Sequence, residues 1–188
     1  MQRPRSLIIE PGGIYHVATR GNRRAAIYLD DLDRRFFLRT LRDVVSRHRW
    51  ICHAYCLMNN HYHLLLTTPK PNLSEGMYRL NRLHAERFNA RYDCSGHVFQ
   101  GRYFGERIEG SAHLLELCRY IVLNPVRAHL QAHPGAWEWS SFNETVGRSS
   151  PSGICRVEWL LAQFSPKADH ARDFYAEFVA DGIAMRAA

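Results

Sequence analysis

Two histidines separated by one residue, His61 and His63, and a polar series at His113, Glu116, Tyr120 and Asn124 are the side chains of this 188-residue sequence best suited to chemistry. Side chains of an extended segment alternate between faces. His61 and His63 therefore point the same way, and their imidazoles can share one divalent ion. The second series is spaced three, four and four residues apart. It forms one stripe on a helix whose other positions include Leu114, Leu115, Leu117, Cys118, Ile121 and Val122. A phenol and an amide one turn apart make a useful pair, because the phenol can act as a nucleophile and the amide oxygen can bind a hard cation. By residue type alone both patterns also have plainer meanings. The histidines fit half-buried sheet positions in a chain with 11 histidines, and the stripe fits the solvated face of an amphipathic helix.

These residues need elements to position them. Ile14 to Thr19 alternates like a strand after the Gly12-Gly13 turn. Asp30, Asp31 and Asp33 precede an apolar series at Phe36, Phe37, Leu41, Val44 and Val45, which predicts a helix of roughly 16 residues. Trp50–Met58 and His61–Thr68 read as a hairpin turning at Asn59-Asn60, closed off by Pro69 and Pro71. A helix beginning at Ser74 and Glu75 follows. Val98–Ile108 is strand-like, with bulges or close backbone approach expected at Gly101 and Gly105. Ser111 is placed to cap a helix running to about Asn124, where Pro125 disfavours continuation. The order β-α-β-β-α-β-α predicts an α+β fold: a ferredoxin-like split β-α-β core, its antiparallel sheet carrying helices on one face. Trp137 and Trp139 are expected to pack a C-terminal extension against this core. A Ser/Gly/Pro-rich linker, Gly147–Gly153, precedes a helical segment from about Glu158.

Composition narrows the function classes. Hydrophobic residues are 46% of the chain and charged residues 23%, which excludes general disorder. The formal charge of +7 arises from 23 Arg and two Lys against 18 acidic residues, and a protein with this balance is drawn to polyanions such as nucleic acid. Five cysteines without a C-x-x-C pair exclude a zinc ribbon or thioredoxin-type site and read as reduced thiols of a cytoplasmic protein. The run Leu7-Ile8-Ile9 is too short for a signal peptide, and no stretch has the apolar length of a membrane span. Neither lysine follows a glycine, so no Walker loop and no nucleotide cofactor is expected. H-E-x-x-H and G-x-S-x-G are absent, and His84-Ala85-Glu86 lacks the P-C-x-x-C of a zinc deaminase.

Asn59-Asn60-His61-Tyr62-His63-Leu64-Leu65-Leu66 resembles the HUH motif of the single-tyrosine HUH transposases. Tyr120-Ile121-Val122-Leu123-Asn124-Pro125-Val126-Arg127-Ala128 is similar to the tyrosine helix of their REP-associated branch. Pro11–Val17, Gly96–Tyr103 and Trp137–Phe142 match further blocks, so the likeness spans about residues 11 to 147. The resemblance implies a nuclease domain over residues 1–147 and leaves 148–188 as a mostly helical extension of unassigned role. It implies a 5′-phosphotyrosine intermediate on single-stranded DNA, with Tyr120 as nucleophile. His61, His63 and Asn124 would hold Mg²⁺ or Mn²⁺; Glu116, read from its place on the same stripe rather than from the resemblance, is a candidate further ligand or orienting group. It also implies a DNA hairpin as partner, a monomer or homodimer, and a cytoplasmic, nucleoid-associated location. Tyr62, between the two histidines, faces the other way and is expected to pack.

Free tyrosine is ionised to only about 0.1% at neutral pH, so a cation that polarises the scissile phosphate would aid its attack. The exchange of one phosphodiester for another needs no ATP. DNA contacts are expected from Arg20, Asn22, Arg23 and Arg24 in the loop after the first strand, and from Arg79, Arg82, Arg102, Arg107 and Arg127. Tyr103 and Phe104 are candidates for base stacking. The competing expectation is a non-catalytic, ferredoxin-like single-stranded nucleic-acid-binding protein.

Overall fold

A computed structural model of the chain describes residues 9–184, so most of the short apolar run at Leu7–Ile9 lies outside the described residues. Strand β1 spans Gly13–Arg20, and helix α1 spans Asp31–His48. Asp30 caps α1 by accepting the Asp33 amide at 3.1 Å, and two acidic residues in the first turn suit the helix dipole. Strands β2 (Ile51–Leu57) and β3 (His61–Thr68) form the expected hairpin, closed by the Met58 amide on the His61 carbonyl at 2.8 Å. Helix α2 covers Leu73–Tyr92, strand β4 Phe104–Ile108 and helix α3 Ser111–Val122. The strands lie in the order β2-β3-β1-β4, all antiparallel, which is the order of the split β-α-β core.

Helices do not share one face. Tyr15, Val17, Tyr62, Leu64 and Leu66 point into a core with Phe37, Leu41, Val44, Met77 and Leu80 of α1 and α2. Ala54, Cys56 and Leu65 point the opposite way, into a second core built on α3. The sheet is thus enclosed between two helical layers. Alternation along β3 alone sends Tyr62 to one layer and its neighbours His61 and His63 toward the other.

Two elements are shorter than their sequence patterns. Helix α3 begins after Gly110, whose φ is 83°, and Ser111 is its first helical residue rather than its cap. It stops at Val122, and a separate turn, α4 (Asn124–Arg127), carries Pro125 at its start. Strand β4 begins only at Phe104, opposite Ala18, while Phe99 pairs with Gly21. The facing chain therefore carries two extra residues over this stretch, and the Gly101-Arg102-Tyr103 segment loops out, as the glycine suggested.

Beyond the core come α5 (Phe142–Thr145), α6 (Val157–Ala162) and α7 (Ala168–Ala184). They are tied to the core rather than hung from it. The outer edge of β2 is covered: the Leu57 amide donates to Trp139 O at 2.8 Å, the Ser141 amide to Tyr55 O at 3.0 Å and the Arg156 amide to Cys52 O at 2.9 Å. Pairing an exposed edge in this way removes a site for unwanted association. Trp137 donates its indole N–H to Leu57 O at 3.0 Å. Glu144 holds Ser152 of the Gly147–Gly153 stretch through bonds of 3.0 and 2.7 Å, and Tyr175 and Val179 of α7 are fully buried in the α3 core.

Candidate active site

The site lies where β1 and β3 meet α3. His61 and His63 share a face of β3, as period-two alternation demands, with ring centroids 5.1 Å apart. The Tyr120 ring, on the face of α3 turned to the sheet, stands edge-on to His63 with centroids 5.8 Å apart. One chain therefore brings together groups 57 residues apart in sequence.

A third imidazole joins them. His16 of β1 lies two residues along from Ala18, the residue opposite His63, and so on the same face. Its ring stacks on His63 at 5.2 Å, 15° from parallel, with its Nε2 3.0 Å from His63 Nδ1. It is also 6.2 Å from the Tyr120 ring, edge-on. Sequence reasoning passed His16 over, although it stands within the Pro11–Val17 block. The available signal was alternation in β1, which sets Ile14, His16 and Ala18 on one face.

Burial lowers the pKa of all three imidazoles below the ordinary histidine value. Burial, reinforced for His61 by the nearby Arg20 charge, lowers its pKa to about 4. Burial and then the neighbouring His16, His61 and Arg20 lower His63 to about 3. Burial also lowers His16, against the opposing pull of the Glu106 carboxylate across the β1–β4 ladder. Neutral imidazoles keep a lone pair for a cation. His61 Nδ1 lies 2.7 Å from the Asn60 side-chain oxygen, so the Nδ1–H donates and the Nε2 stays unprotonated.

Asn124 sits at the break between α3 and α4. Its amide nitrogen donates to Tyr120 O at 2.9 Å and Ile121 O at 3.3 Å, satisfying carbonyls that the helix end would leave open. That fixes the amide's sense and leaves the oxygen as the end able to ligate. Glu116 behaves differently: it is exposed and pairs with Arg119 at 2.5 Å on its own helix, with no contact to an imidazole. Among the described residues, no group of three or more His, Cys, Asp or Glu is disposed around a metal position.

The arginines divide by layer. Arg20 ends β1 directly opposite His61. The following loop is pinned by Arg24 N on Gly21 O at 3.0 Å and by the Asn60 amide on Arg24 O at 2.9 Å. Arg23 and Arg24 both hold positive φ, 51° and 62°, which costs a non-glycine residue roughly 1 kcal/mol or more and turns both exposed side chains outward. With Asn22, Phe88 and His97 this loop borders a cavity of about 280 Å³. Arg127 lies with its guanidinium 4.6 Å from the centre of the Tyr120 ring. A cavity of about 370 Å³ opens there, lined by Tyr120, His113, Arg127 and Gly182 of α7, among others. Arg102 is exposed on the looped-out segment, and Phe104 is 56% exposed beside His16, with centroids 6.0 Å apart. Tyr103 instead contacts Ser74 of α2, its hydroxyl 2.9 Å from Ser74 Oγ. Arg79 and Arg82 belong to α2, on the opposite layer from the histidines, and Arg82 is paired with Glu86 at 2.8 Å. Arg107 alternates away from His16 and pairs with Glu10 at 2.6 Å.

No helix among the described residues is long and apolar enough to cross a membrane. No curated protein matches the chain. Among solved structures, a REP-associated tyrosine transposase bound to a REP hairpin matches with a TM-score of 0.65 at 20% identity, over 85% of this chain and 91% of that one. At that identity the likeness establishes the fold. A candidate transposase from Deinococcus radiodurans is 19% identical over 64% of this chain and 95% of that one, with a TM-score of 0.43. Residues 12–124, from the turn before β1 through the amide at the end of α3, match the family described as IS200-like transposases; that is more than half of the chain, which therefore belongs to this family.

Proposed function

We propose that this transposase cuts and rejoins single-stranded DNA through Tyr120, at sites marked by a hairpin. The observation that carries the reading is the Tyr120 ring against His63 within one chain. In the cutting step the Tyr120 hydroxyl oxygen attacks phosphorus. A new phenol–phosphate ester forms on the 5′ side, the P–O3′ bond breaks, and the released 3′-oxygen takes up the proton given up by the phenol. Attack by a 3′-hydroxyl on the phosphotyrosine reverses these bonds and joins strands. The count of phosphodiesters is unchanged, so no nucleotide hydrolysis is required.

The donor set fits a divalent cation. His61 and His63 are neutral, and the Asn124 nitrogen is committed to backbone carbonyls, so its oxygen is the ligating end. Bound there, Mg²⁺ or Mn²⁺ would polarise the scissile phosphate and offset charge on the leaving oxygen; with two imidazoles, Mn²⁺ is the better match. Arg127, beside the phenol ring, is placed to hold the same phosphate. Arg20 and the Arg23-Arg24 loop extend the positive surface from the His61 end, and exposed Phe104 offers a ring on which an unpaired base can stack. The hairpin-bound relative supports a hairpin as the DNA form recognised.

The test is covalent capture. The full chain is incubated with labelled hairpin DNA bearing a single-stranded flank, plus Mn²⁺, and then denatured. A labelled band that survives denaturation, and that Tyr120→Phe removes, is expected. Retention of that band in Tyr120→Phe refutes Tyr120 as nucleophile, and DNA binding without any band favours the non-catalytic reading.

A further inference from the structure

His16 is 7% exposed and His63 8%, and their rings lie nearly parallel with a single nitrogen–nitrogen contact of 3.0 Å. Two ring nitrogens in such contact share one proton, which sits either on His63 Nδ1 or on His16 Nε2. The two arrangements differ in consequence. With the proton on His63 Nδ1, the other nitrogen of His63 is a bare lone pair. With the proton on His16 Nε2, His63 carries its hydrogen on Nε2 and must shift it before it can bind a cation. The pairing is built into the sheet. His16 and His63 are diagonal neighbours on adjacent central strands β1 and β3, and His16 is further flanked by Phe104, centroid to centroid 6.0 Å.

We propose that His16 is a positioning residue for the candidate cation site: its Nε2 accepts the Nδ1–H of His63, which fixes the His63 ring and holds its Nε2 ready as a ligand. His61 is held in the same sense by a different device, the neighbouring Asn60 oxygen at 2.7 Å. Each imidazole of the pair thus has its own acceptor on Nδ1, one from the hairpin turn and one from the adjacent strand. Outer partners of this kind raise ligand basicity and fix orientation, and their loss typically lowers metal affinity about 10- to 100-fold.

The inference rests on the cation reading above, but its test does not depend on DNA cleavage. Uniformly ¹⁵N-labelled full chain, free of metal and DNA, is examined by long-range ¹H–¹⁵N correlation of the histidine rings, with His63 assigned by comparison with His63→Gln. A protonated Nδ1 and an unprotonated Nε2 on His63 are expected, and the reverse tautomer overturns the proposal. In the second arm Mn²⁺ alone is titrated into His16→Leu and His16→Gln. Affinity is expected to fall about 10- to 100-fold in His16→Leu and to recover to within about threefold in His16→Gln, whose side-chain oxygen can accept. Unchanged Mn²⁺ affinity in His16→Leu overturns the proposal. Should His16→Leu fail to fold, the tautomer in the unmodified protein decides. The expected tautomer without any Tyr120 adduct would sink the cleavage reading and leave the role of His16 standing.

Discussion

Strand β3 has two faces with different fates. Tyr62, Leu64 and Leu66 are fully buried against α1 and α2, and the Tyr62 hydroxyl donates to the Asn81 side-chain oxygen. Burial pushes the Tyr62 phenol well above its ordinary pKa. One residue away on either side, His61 and His63 face α3, where Tyr120 is only partly buried and an arginine and a cavity adjoin it. Two tyrosines therefore stand near the same strand in opposite surroundings. One is fully buried and fixes packing. The other is partly exposed at the edge of a cavity. Chemistry here depends on which layer a side chain enters more than on what residue it is.

The largest expected difference between the layers lies in the tyrosines. Tyr120→Phe should reduce DNA adduct by more than about a thousandfold with thermal unfolding unchanged within a degree or two. Tyr62→Phe should keep the adduct and lower stability by about 1–2 kcal/mol, because Asn81 loses its buried donor. If Tyr62→Phe abolishes adduct while Tyr120→Phe does not, the contrast between the layers is reversed.

Next come the neighbours on β3. Leu64→Ala leaves a cavity in the α1/α2 layer and should cost roughly 2–5 kcal/mol in denaturant unfolding. His63→Ala should cost less stability than that, yet lower the adduct yield at least about a hundredfold. Equal stability losses with equal adduct yields would show that the two faces are not specialised.

A smaller effect concerns the buried imidazoles, which occur in both layers. His53 of β2 is 4% exposed, bonded to Thr67 Oγ1 at 2.8 Å and set against the Trp159 ring, and burial lowers its pKa to about 4. The unfolded chain, with an ordinary histidine pKa near 6.5, binds this proton at higher pH than the folded one. The contribution of His53 to stability is therefore complete above pH 6.5 and is lost as pH falls toward 4. The pH dependence of unfolding should steepen in that window, and His53→Gln should remove on the order of 2 kcal/mol of the change. An unaltered slope in His53→Gln would contradict this. Burial shifts His16, His61, His63 and His84 in the same direction, so each adds to the slope.

The smallest expected effects separate the arginines. Arg127→Ala should weaken binding of hairpin DNA with a single-stranded flank about tenfold and shallow its salt dependence. Arg82→Ala, on the far layer and paired with Glu86, should change binding less than about twofold. A larger loss at Arg82 than at Arg127 would place the DNA path across α2 instead.

Much of this was legible in the residues themselves. Asn59-Asn60 between two apolar runs specified the hairpin, and a period of two put His61 and His63 on one face and Tyr62 on the other. A spacing of four put Asn124 one turn beyond Tyr120. These are local rules, carried by backbone geometry within a few residues. Other features answer to remote contacts. Glu116 shares the stripe with Tyr120 yet turns to Arg119, because a long charged side chain at the surface finds the nearest countercharge. The strand pattern before β4 extended to Val98, but β1 offers paired partners only up to a register shift, so Gly101–Tyr103 loops out.

By itself, then, the sequence determined the strand and helix order, the shared face of the two histidines and the tyrosine stripe, since each follows from periodicity within one element. Only the tertiary structure decided that α3 lies on the sheet face away from α1 and α2, that His16 pairs with His63 across 47 residues, and that α7 seals the back of α3. Those outcomes depend on which apolar surfaces find each other when water is excluded, and that sum over distant side chains is not written in any local period.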